Sequence, residues 1–401
     1  MQLVDSDVSP LMEAVGRRIR NNLKPHFGAF REFRSTGEFV SSALYAQSCE
    51  AIEFALHTVH TGNFSERPGE AKTQYRVLGW NIERGKELAG QLRAFRRIPY
   101  LRDSDVLLLT ETDVGMARSG NVDVARTLAR ELGMYYAFVP CYLSLVKGSG
   151  TERWTEGENE LGLHGNAILS RYPIRNPFRI GLRNGIDKLK SSEQRLGTQT
   201  ALGATVELPG APLAVACAHL DANSTQAHRA SQMRAVLEAL PMSGPAMVGG
   251  DWNTTTFDSS SAFRAIMGYW RCVLMGPTRV IGGHFLHPYN WFEKELFDLL
   301  EHRGFDYRRC NSLGDHTISY DVEDIRAHKG LAEWVPAWCF PFIRWALREH
   351  GGVAPVMIDW FATRQLACAH PRVIHDVRRF EGRQLSDHSA IGVEIGPIIE
   401  K

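Results

Sequence analysis

The chain has 401 residues, of which 44% are hydrophobic and 23% are charged, a composition typical of a soluble globular protein. Its 46 Lys and Arg residues balance 45 Asp and Glu residues, and the formal net charge of +1 excludes a global field that would draw the chain to nucleic acid or anionic lipid. The seven cysteines include no Cys-x-x-Cys pair, which argues against a zinc-thiolate site and a disulfide framework.

The first ten residues give no sign of a targeting segment. They carry Asp5 and Asp7 and lack the basic and then apolar pattern of a signal peptide. No apolar run in the sequence reaches the roughly 18 residues that a membrane span needs. Together with the cysteine pattern, these features predict a cytoplasmic protein without an integral membrane segment.

Apolar residues recur at helical spacing between Ser9 and His60, which predicts a series of helices. Residues 61–72 contain Gly62, Pro68 and Gly69 and are predicted to be a linker. We therefore expect a helical N-terminal extension over residues 1–72, packed on the main domain or on a second copy of the chain.

Residues 73–398 are predicted to form one α/β domain, because strand and helix patterns alternate along them. The run Val-Leu-Leu-Leu within 105–111 is continuous and apolar, as in a strand buried on both faces. Predicted strands cover residues 75–81, 105–111, 135–139, 166–170, 200–208, 212–218, 246–250, 355–363, 372–377 and 389–395. Predicted helices cover residues 86–97, 121–132 (with Asn121 as its cap), 225–240 and 289–302.

Residues 257–352 interrupt this alternation and are predicted to be a helical insertion. The insertion contains an aromatic cluster, for which a small hydrophobic core is the expected structure. The cluster consists of Trp334, Trp338, Phe340, Phe342 and Trp345. Because both ends of the insertion adjoin polar motifs, we expect it to overhang a site and restrict the substrate.

Polar side chains collect where several predicted strands end. Asp251 and Asn253 follow an apolar strand and two glycines, and their alternation directs both side chains the same way. Similar polar clusters occur at 79–83, 110–113, 218–221 and 386–388. Strand ends that lie far apart in sequence meet at one end of a sheet, so these five clusters are predicted to form one site.

The chemistry of these clusters is coherent. They supply carboxylates, amides and imidazoles without a thiolate, which suits Mg²⁺ or Mn²⁺ better than zinc. The groups are Glu111, Asp251, Asp387, Asn81, Asn253, His219 and His388. A phosphoester hydrolase needs these types: a metal site, a carboxylate that aligns water, and donors for the transition state.

Seven motifs in this order resemble the endonuclease/exonuclease/phosphatase superfamily, which includes pancreatic-type deoxyribonuclease. They are Gly-Trp-Asn-Ile-Glu (79–83), Leu-Thr-Glu-Thr-Asp (109–113), Gly-Asn-Ala-Ile-Leu-Ser-Arg (165–171), Ala-His-Leu-Asp (218–221), Gly-Gly-Asp-Trp-Asn-Thr (249–254), Ile-Asp-Trp (358–360) and Leu-Ser-Asp-His-Ser (385–389). The resemblance implies a four-layer α/β sandwich, in which two mixed β-sheets pack face to face between flanking helices.

The resemblance also implies roles at the metal and the attacking water. Glu111 corresponds to the principal metal ligand, with Asn81 beside it and Asp387 contributing through water. Asp251 corresponds to the residue that positions the attacking water, and Asn253 to one that contacts the phosphoryl oxygens.

Two histidine pairs complete the implied site. His388 corresponds to a histidine paired with Asp359, and His219 to one paired with a carboxylate that we assign to Glu193. In each pair the carboxylate would orient the imidazole and favour its protonated form.

The sequence thus predicts a Mg²⁺- or Mn²⁺-dependent phosphoester hydrolase. Because the net charge is only +1, a small or lipid-linked phosphomonoester or phosphodiester is favoured over duplex DNA. A DNA or RNA nuclease with a local basic groove is the main alternative, and an inactive binding or scaffold module is the third. The substrate and the oligomeric state stay open at this stage.

Overall fold

The computed structural model describes residues 9–255, 257–258, 260–321, 338 and 340–397. Two large, curled, mixed β-sheets pack face to face, and helices cover their outer faces. The architecture is the predicted four-layer α/β sandwich.

The strands and helices of the described residues have the following bounds. The strands are β1 (His60–Asn63), β2 (Tyr75–Arg84), β3 (Val106–Val114), β4 (Tyr135–Ser144), β5 (Leu163–Ser170), β6 (Ile174–Gly181), β7 (Arg195–Gly197), β8 (Thr200–Val206), β9 (Leu213–Cys217), β10 (Ala246–Asp251), β11 (Ile318–Asp321), β12 (Val353–Val356), β13 (Asp359–Arg364), β14 (Leu366–Ile374), β15 (Arg379–Phe380), β16 (Arg383–Gln384) and β17 (Ala390–Pro397). The α-helices are α1 (Pro10–Arg18), α2 (Phe27–Phe30), α3 (Thr36–Val40), α4 (Ala43–His57), α5 (Leu88–Arg97), α6 (Pro99–Arg102), α7 (Val124–Leu132), α8 (Gln226–Ala239), α9 (Ala262–Met275), α10 (Pro277–Val280), α11 (Lys294–His302) and α12 (Phe340–Ala346). Within the part of the chain that the structure describes, no helix has the length and apolar character needed to cross a membrane.

The order of the strands brings the predicted polar motifs to one end of the sandwich. The larger sheet has the order β1-β4-β5-β3-β2-β17-β14, with β7 beside β4, and the smaller has the order β13-β10-β9-β8-β6. β2 runs parallel to β3, and β10 runs parallel to β9. β17 is antiparallel to β2, and β13 is antiparallel to β10. The C-terminal ends of the parallel strands therefore lie beside the first residues of β13 and β17, at the same end of each sheet.

The main core lies between the two sheets. Val77 and Leu108 from the larger sheet meet Val248 and Phe361 from the smaller one, and all four are fully buried. Gly249 is required here by a close approach, because a Cβ at this position would lie 2.8 Å from Leu108 Cδ1 and 2.5 Å from a Phe361 ring atom. This glycine lets the strand that carries Asp251 pack tightly against the opposite sheet.

The N-terminal segment contains the predicted helices, but it also supplies a strand to the larger sheet. His60–Asn63 pairs antiparallel with β4, so the predicted linker at 61–72 is corrected at its beginning. Pairing with β4 satisfies backbone groups that a sheet edge would otherwise expose. Val15, Phe30 and Leu56 are buried in the second core, on the outer face of this sheet. The division into an extension and a domain remains a prediction.

Part of the predicted insertion is integral to the sandwich. α11 packs against α8, and its Leu296, Phe297 and Leu300 are buried in the core between the layers. The Asn311 side chain bonds to the backbone of Phe361 in β13. Residues 294–311 thus help form a structural layer of the sandwich, and the division that places an insertion at 257–352 stays a prediction.

The predicted aromatic core is also corrected. Trp334 lies outside the described residues, as does the side chain of Phe340. Trp338 is 56% exposed, Phe342 49% and Trp345 60%. Trp338 and Phe342 contact each other and Trp270 of α9, so these rings form a cluster at the surface and not the predicted buried core.

Two local predictions are corrected as well. The cap of α7 is Asp123, whose Oδ1 accepts a hydrogen bond from Arg126 N at 3.0 Å. Asn121, the predicted cap, has a φ of +57° and lies in the preceding turn. The strand predicted at 355–363 is split into β12 and β13, which lie in different sheets.

We expect Asn311→Ala to lower the free energy of unfolding by about 1–3 kcal/mol, because it leaves buried backbone groups without a partner. Asn311 Nδ2 donates to Phe361 O at 2.7 Å and to Tyr307 O at 2.6 Å, and its Oδ1 accepts from Phe361 N at 2.9 Å. Urea unfolding measures this change, and the exposed Asn290→Ala is the matched control. Equal stability of the two variants would contradict the structural role of residues 294–311.

We also expect His60 to make the protein sensitive to acid. His60 is 2% exposed and neither ring nitrogen has a hydrogen-bond partner in the described part of the chain, and burial lowers its pKa to about 4. Because the unfolded state binds a proton at about pH 6.5, stability falls as the pH drops from about 6.5 toward 4, by about 2 kcal/mol at pH 5.

The substitution His60→Leu should remove this part of the pH dependence. Urea unfolding at pH 7.5 and pH 5 measures it, with the exposed His26→Leu as the control that keeps the wild-type slope. An unchanged slope in His60→Leu would show that His60 is not a buried neutral histidine.

Candidate active site

Asp251 is delivered to the edge of the sandwich by an unusual backbone turn at the end of β10. Gly250 has a φ of +134°, and a Cβ there would collide with Ala218 O. Only glycine fits both conditions. The two glycines of the motif therefore have separate roles, since Gly249 permits sheet packing and Gly250 permits the turn that buries Asp251.

The Asp251 carboxylate is the centre of the site. Its Oδ2 accepts a hydrogen bond from Asn81 Nδ2 at 3.1 Å. His219 Nε2 lies 3.5 Å from the same oxygen, and His388 Nε2 lies 3.8 Å from it. Its Oδ1 accepts the backbone N–H of Asn253 at 3.0 Å. One buried oxygen thus faces an amide and two imidazoles that come from distant parts of the sequence.

Asp359 lies behind His388. His388 Nδ1 is 2.8 Å from Asp359 Oδ2. Burial alone would lower the pKa of His388, but Asp359, Asp251 and Asp387 together raise it well above the ordinary value. His388 is therefore held in its protonated form at neutral pH, with its Nε2 directed at Asp251.

Glu111 sits at a bulge in β3. Its φ is +55°, and the pairing of β3 with both neighbouring strands changes register around it. Burial alone would raise its pKa, but Arg84, whose Nε lies 3.7 Å from Glu111 Oε2, and His219 are the foremost of the cations that hold the pKa well below its usual range. The bulge thus presents an ionised carboxylate to the edge that carries Asp251.

Two further residues adjoin this centre. Asp387, one of the predicted metal ligands, is partly buried and directly precedes His388. Tyr320, on β11, was not predicted from the sequence. Burial, followed by the charges of Asp251 and Asp387, raises the pKa of Tyr320. Tyr320 thus belongs to the segment between β10 and β13, which the sequence predicted would overhang the site, although no motif indicated this tyrosine.

The predicted pairing of His219 with Glu193 is corrected. Glu193 Oε1 accepts a hydrogen bond from Arg118 Nη1 at 2.6 Å, and Glu193 Oε2 lies 3.6 Å from Arg195. Burial alone would raise the pKa of Glu193, but Arg118 and Arg195 hold it well below the usual value. The physical reason is that the buried Arg118 guanidinium requires carboxylate partners, while His219 faces Asp251 instead.

Arg118 also connects Glu193 to a second buried acid. Arg118 Nε lies 2.8 Å from Asp113 Oδ2, and His164 Nδ1 lies 2.8 Å from Asp113 Oδ1. His164 carried no signal in the sequence beyond its place two residues before a predicted strand. This network lies beneath the Glu111 bulge, since Arg118 and His164 both act electrostatically on their neighbours there.

Other motif residues tie the surrounding loops together. Asn253 Nδ2 donates to Leu220 O at 2.9 Å, which joins the Asp251 turn to the His219 turn; its contact with a phosphoryl oxygen stays a prediction. Lys188 Nζ lies 3.0 Å from both oxygens of Asp221. Arg171 lies at the opposite end of the sheet, where its guanidinium donates to backbone carbonyls such as Ser104 O.

The donor set fits a hard divalent cation near Glu111. Asp251, Asp359 and His388 each place one ligand atom within 4.8 Å of the others. Glu111 adds an ionised carboxylate, and it directly follows Thr110, which pairs with Asn81 across β2 and β3. Carboxylate and amide oxygens of this kind suit Mg²⁺ or Mn²⁺.

We expect Glu193→Gln to act on stability more than on chemistry. The change removes one of three carboxylates beside the buried Arg118 guanidinium, the others being Asp113 and Glu152, and loss of one partner of a buried hydrogen-bonding group costs about 1–3 kcal/mol. Thermal unfolding should therefore show a clear loss, whereas the exposed Glu207→Gln should not. A variant with wild-type stability and lost activity would instead return Glu193 to the catalytic group.

Three solved structures show similarity to most of this chain. The structure of an endonuclease/exonuclease/phosphatase from Beutenbergia cavernae is 18% identical, with 81% of this chain and 72% of that chain covered and a TM-score of 0.48. The human Nocturnin catalytic domain with bound sulfate is 15% identical (84% and 97% covered, TM-score 0.43). The D. rerio TDP2 complexed with single-strand DNA product is 14% identical (81% and 99% covered, TM-score 0.44).

A search of curated proteins gave no match. Residues 78–388 match the sequence pattern of a known family, and this stretch contains all nine residues that the sequence predicted for the site. The chain belongs to the Endonuclease/Exonuclease/phosphatase family.

Proposed function

We propose that this protein is a Mg²⁺- or Mn²⁺-dependent hydrolase that cleaves a phosphoester bond by direct attack of water. Members of its family hydrolyse phosphoester bonds. The observation that carries the proposal is the position of Asp251, whose buried carboxylate is contacted by Asn81, His219 and His388. A buried carboxylate between two imidazoles is suited to proton transfer beside a developing negative charge.

Glu111 would hold the cation, with Asn81 beside it and Asp387 contributing through water. When bound, Mg²⁺ or Mn²⁺ neutralises charge on the phosphoryl group and orients it. The ionised state of Glu111 supports this role, since its pKa is held low by neighbouring cations despite burial. Arg84 lies close enough to Glu111 to fix the carboxylate's direction.

Asp251 would align the attacking water and accept its proton. Burial, with a further contribution from Asp359 against the opposing effect of the histidines, raises the pKa of Asp251 to about 6. A base with a pKa near neutrality is ionised and still able to take a proton. Hydrogen bonds from Asn81 Nδ2 and the Asn253 backbone fix its two oxygens.

His388 and His219 would stabilise the charge that develops on the phosphoryl oxygens. The Asp359 carboxylate keeps His388 protonated and fixes its orientation. His219 approaches Asp251 from a different strand. Both imidazoles already lie next to the Asp251 carboxylate, so neither side chain would have to move during the reaction.

For the substrate we favour a small or lipid-linked phosphoester. The net charge of +1 provides no general attraction to a polyanion. Tyr320 reaches the site from the segment between β10 and β13, and exposed aromatic rings such as Trp338 and Trp345 lie in the same segment. Such rings suit contact with an amphiphilic substrate. A nuclease acting on DNA or RNA is the alternative function.

We expect activity to disappear in EDTA and to return with Mg²⁺ or Mn²⁺. Asp251→Asn and His388→Ala should each lower kcat by about 10²-fold or more, because each removes a group that acts in the transition state. Glu111→Gln should raise the Mg²⁺ concentration needed for half-maximal activity. The exposed Glu207→Gln is the control.

Assays on phosphomonoester, phosphodiester, lipid-micelle and single- and double-stranded DNA substrates decide between the alternatives. A preference for the micellar or small substrate is the expected result. Preference for DNA would favour the nuclease, and full activity in EDTA would overturn the metal-dependent mechanism. Inactivity on every substrate with Mg²⁺ and Mn²⁺ would support an inactive binding module.

A further inference from the structure

A second cluster of metal-ligating side chains lies outside the candidate active site. Asp315, His316 and His375 each place one ligand atom within 4.8 Å of the others. His375 Nε2 is 3.1 Å from Asp315 Oδ1, and His316 Nδ1 is 3.4 Å from the same oxygen. Two ligands bound at about 2.1 Å to a tetrahedral zinc ion lie roughly 3.4 Å apart. The three side chains therefore already have the spacing of a metal site.

The cluster joins two distant parts of the chain. Asp315 and His316 directly precede Thr317 and β11, whereas His375 follows β14 and lies 60 residues from Asp315. All three side chains are about one-third to two-fifths exposed. An ion from solvent can therefore reach them without rearrangement of the core.

Hydrogen bonds to Ser389 and to the backbone hold the side chains of the cluster in place. Ser389 Oγ lies 3.0 Å from His375 Nδ1. When Nδ1–H donates to this hydroxyl, Nε2 carries a lone pair directed at Asp315. Metal-ligating histidines generally use their second nitrogen in this way. Asp315 Oδ1 also accepts the backbone N–H of His316 at 2.8 Å, which fixes the carboxylate.

The two imidazole rings lie side by side next to Asp315. Their centroids are 4.7 Å apart, and one nitrogen of each ring lies within 3.4 Å of the same Asp315 oxygen. Arg378 opposes cation binding, but its guanidinium donates to Ser319 Oγ at 3.1 Å. A lone pair facing a carboxylate oxygen is stabilised when a metal ion lies between them.

We propose that Asp315, His316 and His375 bind Zn²⁺ at a second metal site, separate from the candidate active site. Two imidazoles and one carboxylate are the donors that zinc prefers, and they leave a fourth position for water. The hard-oxygen donors near Glu111 suit Mg²⁺ instead. The chain would therefore hold two metals of different chemistry.

The position of the second site gives it a structural consequence for the first. Thr317 follows His316, and Thr317 Oγ1 accepts hydrogen bonds from the backbone N–H of Ile358 and Asp359 at 3.2 Å each. Ser389 N donates to Thr317 O at 2.7 Å. Zn²⁺ at this site would thus fix the segment that positions Asp359 and the residue next to His388.

The test is titration of Zn²⁺ into the metal-free, full-length chain. Calorimetry measures the binding, and the thermal midpoint of unfolding measures the change in stability. We expect one Zn²⁺ equivalent to bind and to raise the midpoint. His316→Ala and His375→Ala should each weaken that binding by at least about 10-fold, and Ser389→Ala by about 10-fold. The exposed His302→Ala is the control and should bind as the wild type does.

Variants of the first site make the result independent of the proposed activity. Glu111→Gln and His388→Ala should keep the Zn²⁺ equivalent, because neither residue belongs to the second cluster. Unchanged binding in both His316→Ala and His375→Ala would overturn the proposal. Loss of the Zn²⁺ equivalent in His388→Ala would do the same, since it would place the ion at the candidate active site.

Discussion

The buried carboxylate of Asp251 is the constraint on which the two sheets depend at the site. Asn81, from the larger sheet, donates to it, and His388 approaches it from the loop before β17. His219 approaches Asp251 from the side of the smaller sheet, and in that sheet Asp359 is paired with Asp251. A carboxylate in this position is costly unless each neighbour is present. The sheets are therefore fixed relative to each other by charge balance as well as by apolar packing.

The remainder of the fold supports this arrangement from both sides. The N-terminal helices and β1 cover the outer face and one edge of the larger sheet. α11 and the Asn311 side chain brace β13, which starts at Asp359. The same logic applies to the Arg118 network under Glu111, where a buried guanidinium balances Asp113 and Glu193. Stability and the ionisation state of the site thus depend on the same buried charges.

The sequence predicted the α/β alternation from local signals, whereas the sandwich was implied by the family resemblance. An apolar run predicts a buried strand, and the polar residues that follow it, such as Asp251 and Glu111, mark the end of that strand. The hydrogen-bond and ion-pair partners of the site residues could not be predicted in this way, because they depend on which loops meet in space. Glu193 could be assigned to His219 only by resemblance. Its actual partner, Arg118, lies in a turn five residues after Asp113, where no sequence motif marks it as a site residue.

Tyr320 and the Asp315 cluster escaped prediction for the same reason. Tyr320 and Asp315 lie in a segment that looked like an addition to the domain, and each interacts with a residue that is distant in sequence, Asp251 and His375 respectively. The aromatic rings were predicted to form a buried core, but Trp338 and Phe342, which contact each other and Trp270, lie at the surface. Trp338 and Trp345 remain exposed, so hydrophobicity alone did not decide burial.

Thr317 connects the two clusters of titratable groups. It lies directly after His316, and its hydroxyl and carbonyl oxygens hold the backbone of Asp359 and Ser389. Ser389 in turn contacts His375 through its side chain and follows His388 in the chain. Zn²⁺ bound at the proposed second site would act on the segment that holds Asp359 and Ser389, and any coupling between the two sites would be reciprocal. A single threonine therefore joins the backbone next to the proposed zinc ligands to the backbone of the candidate active site.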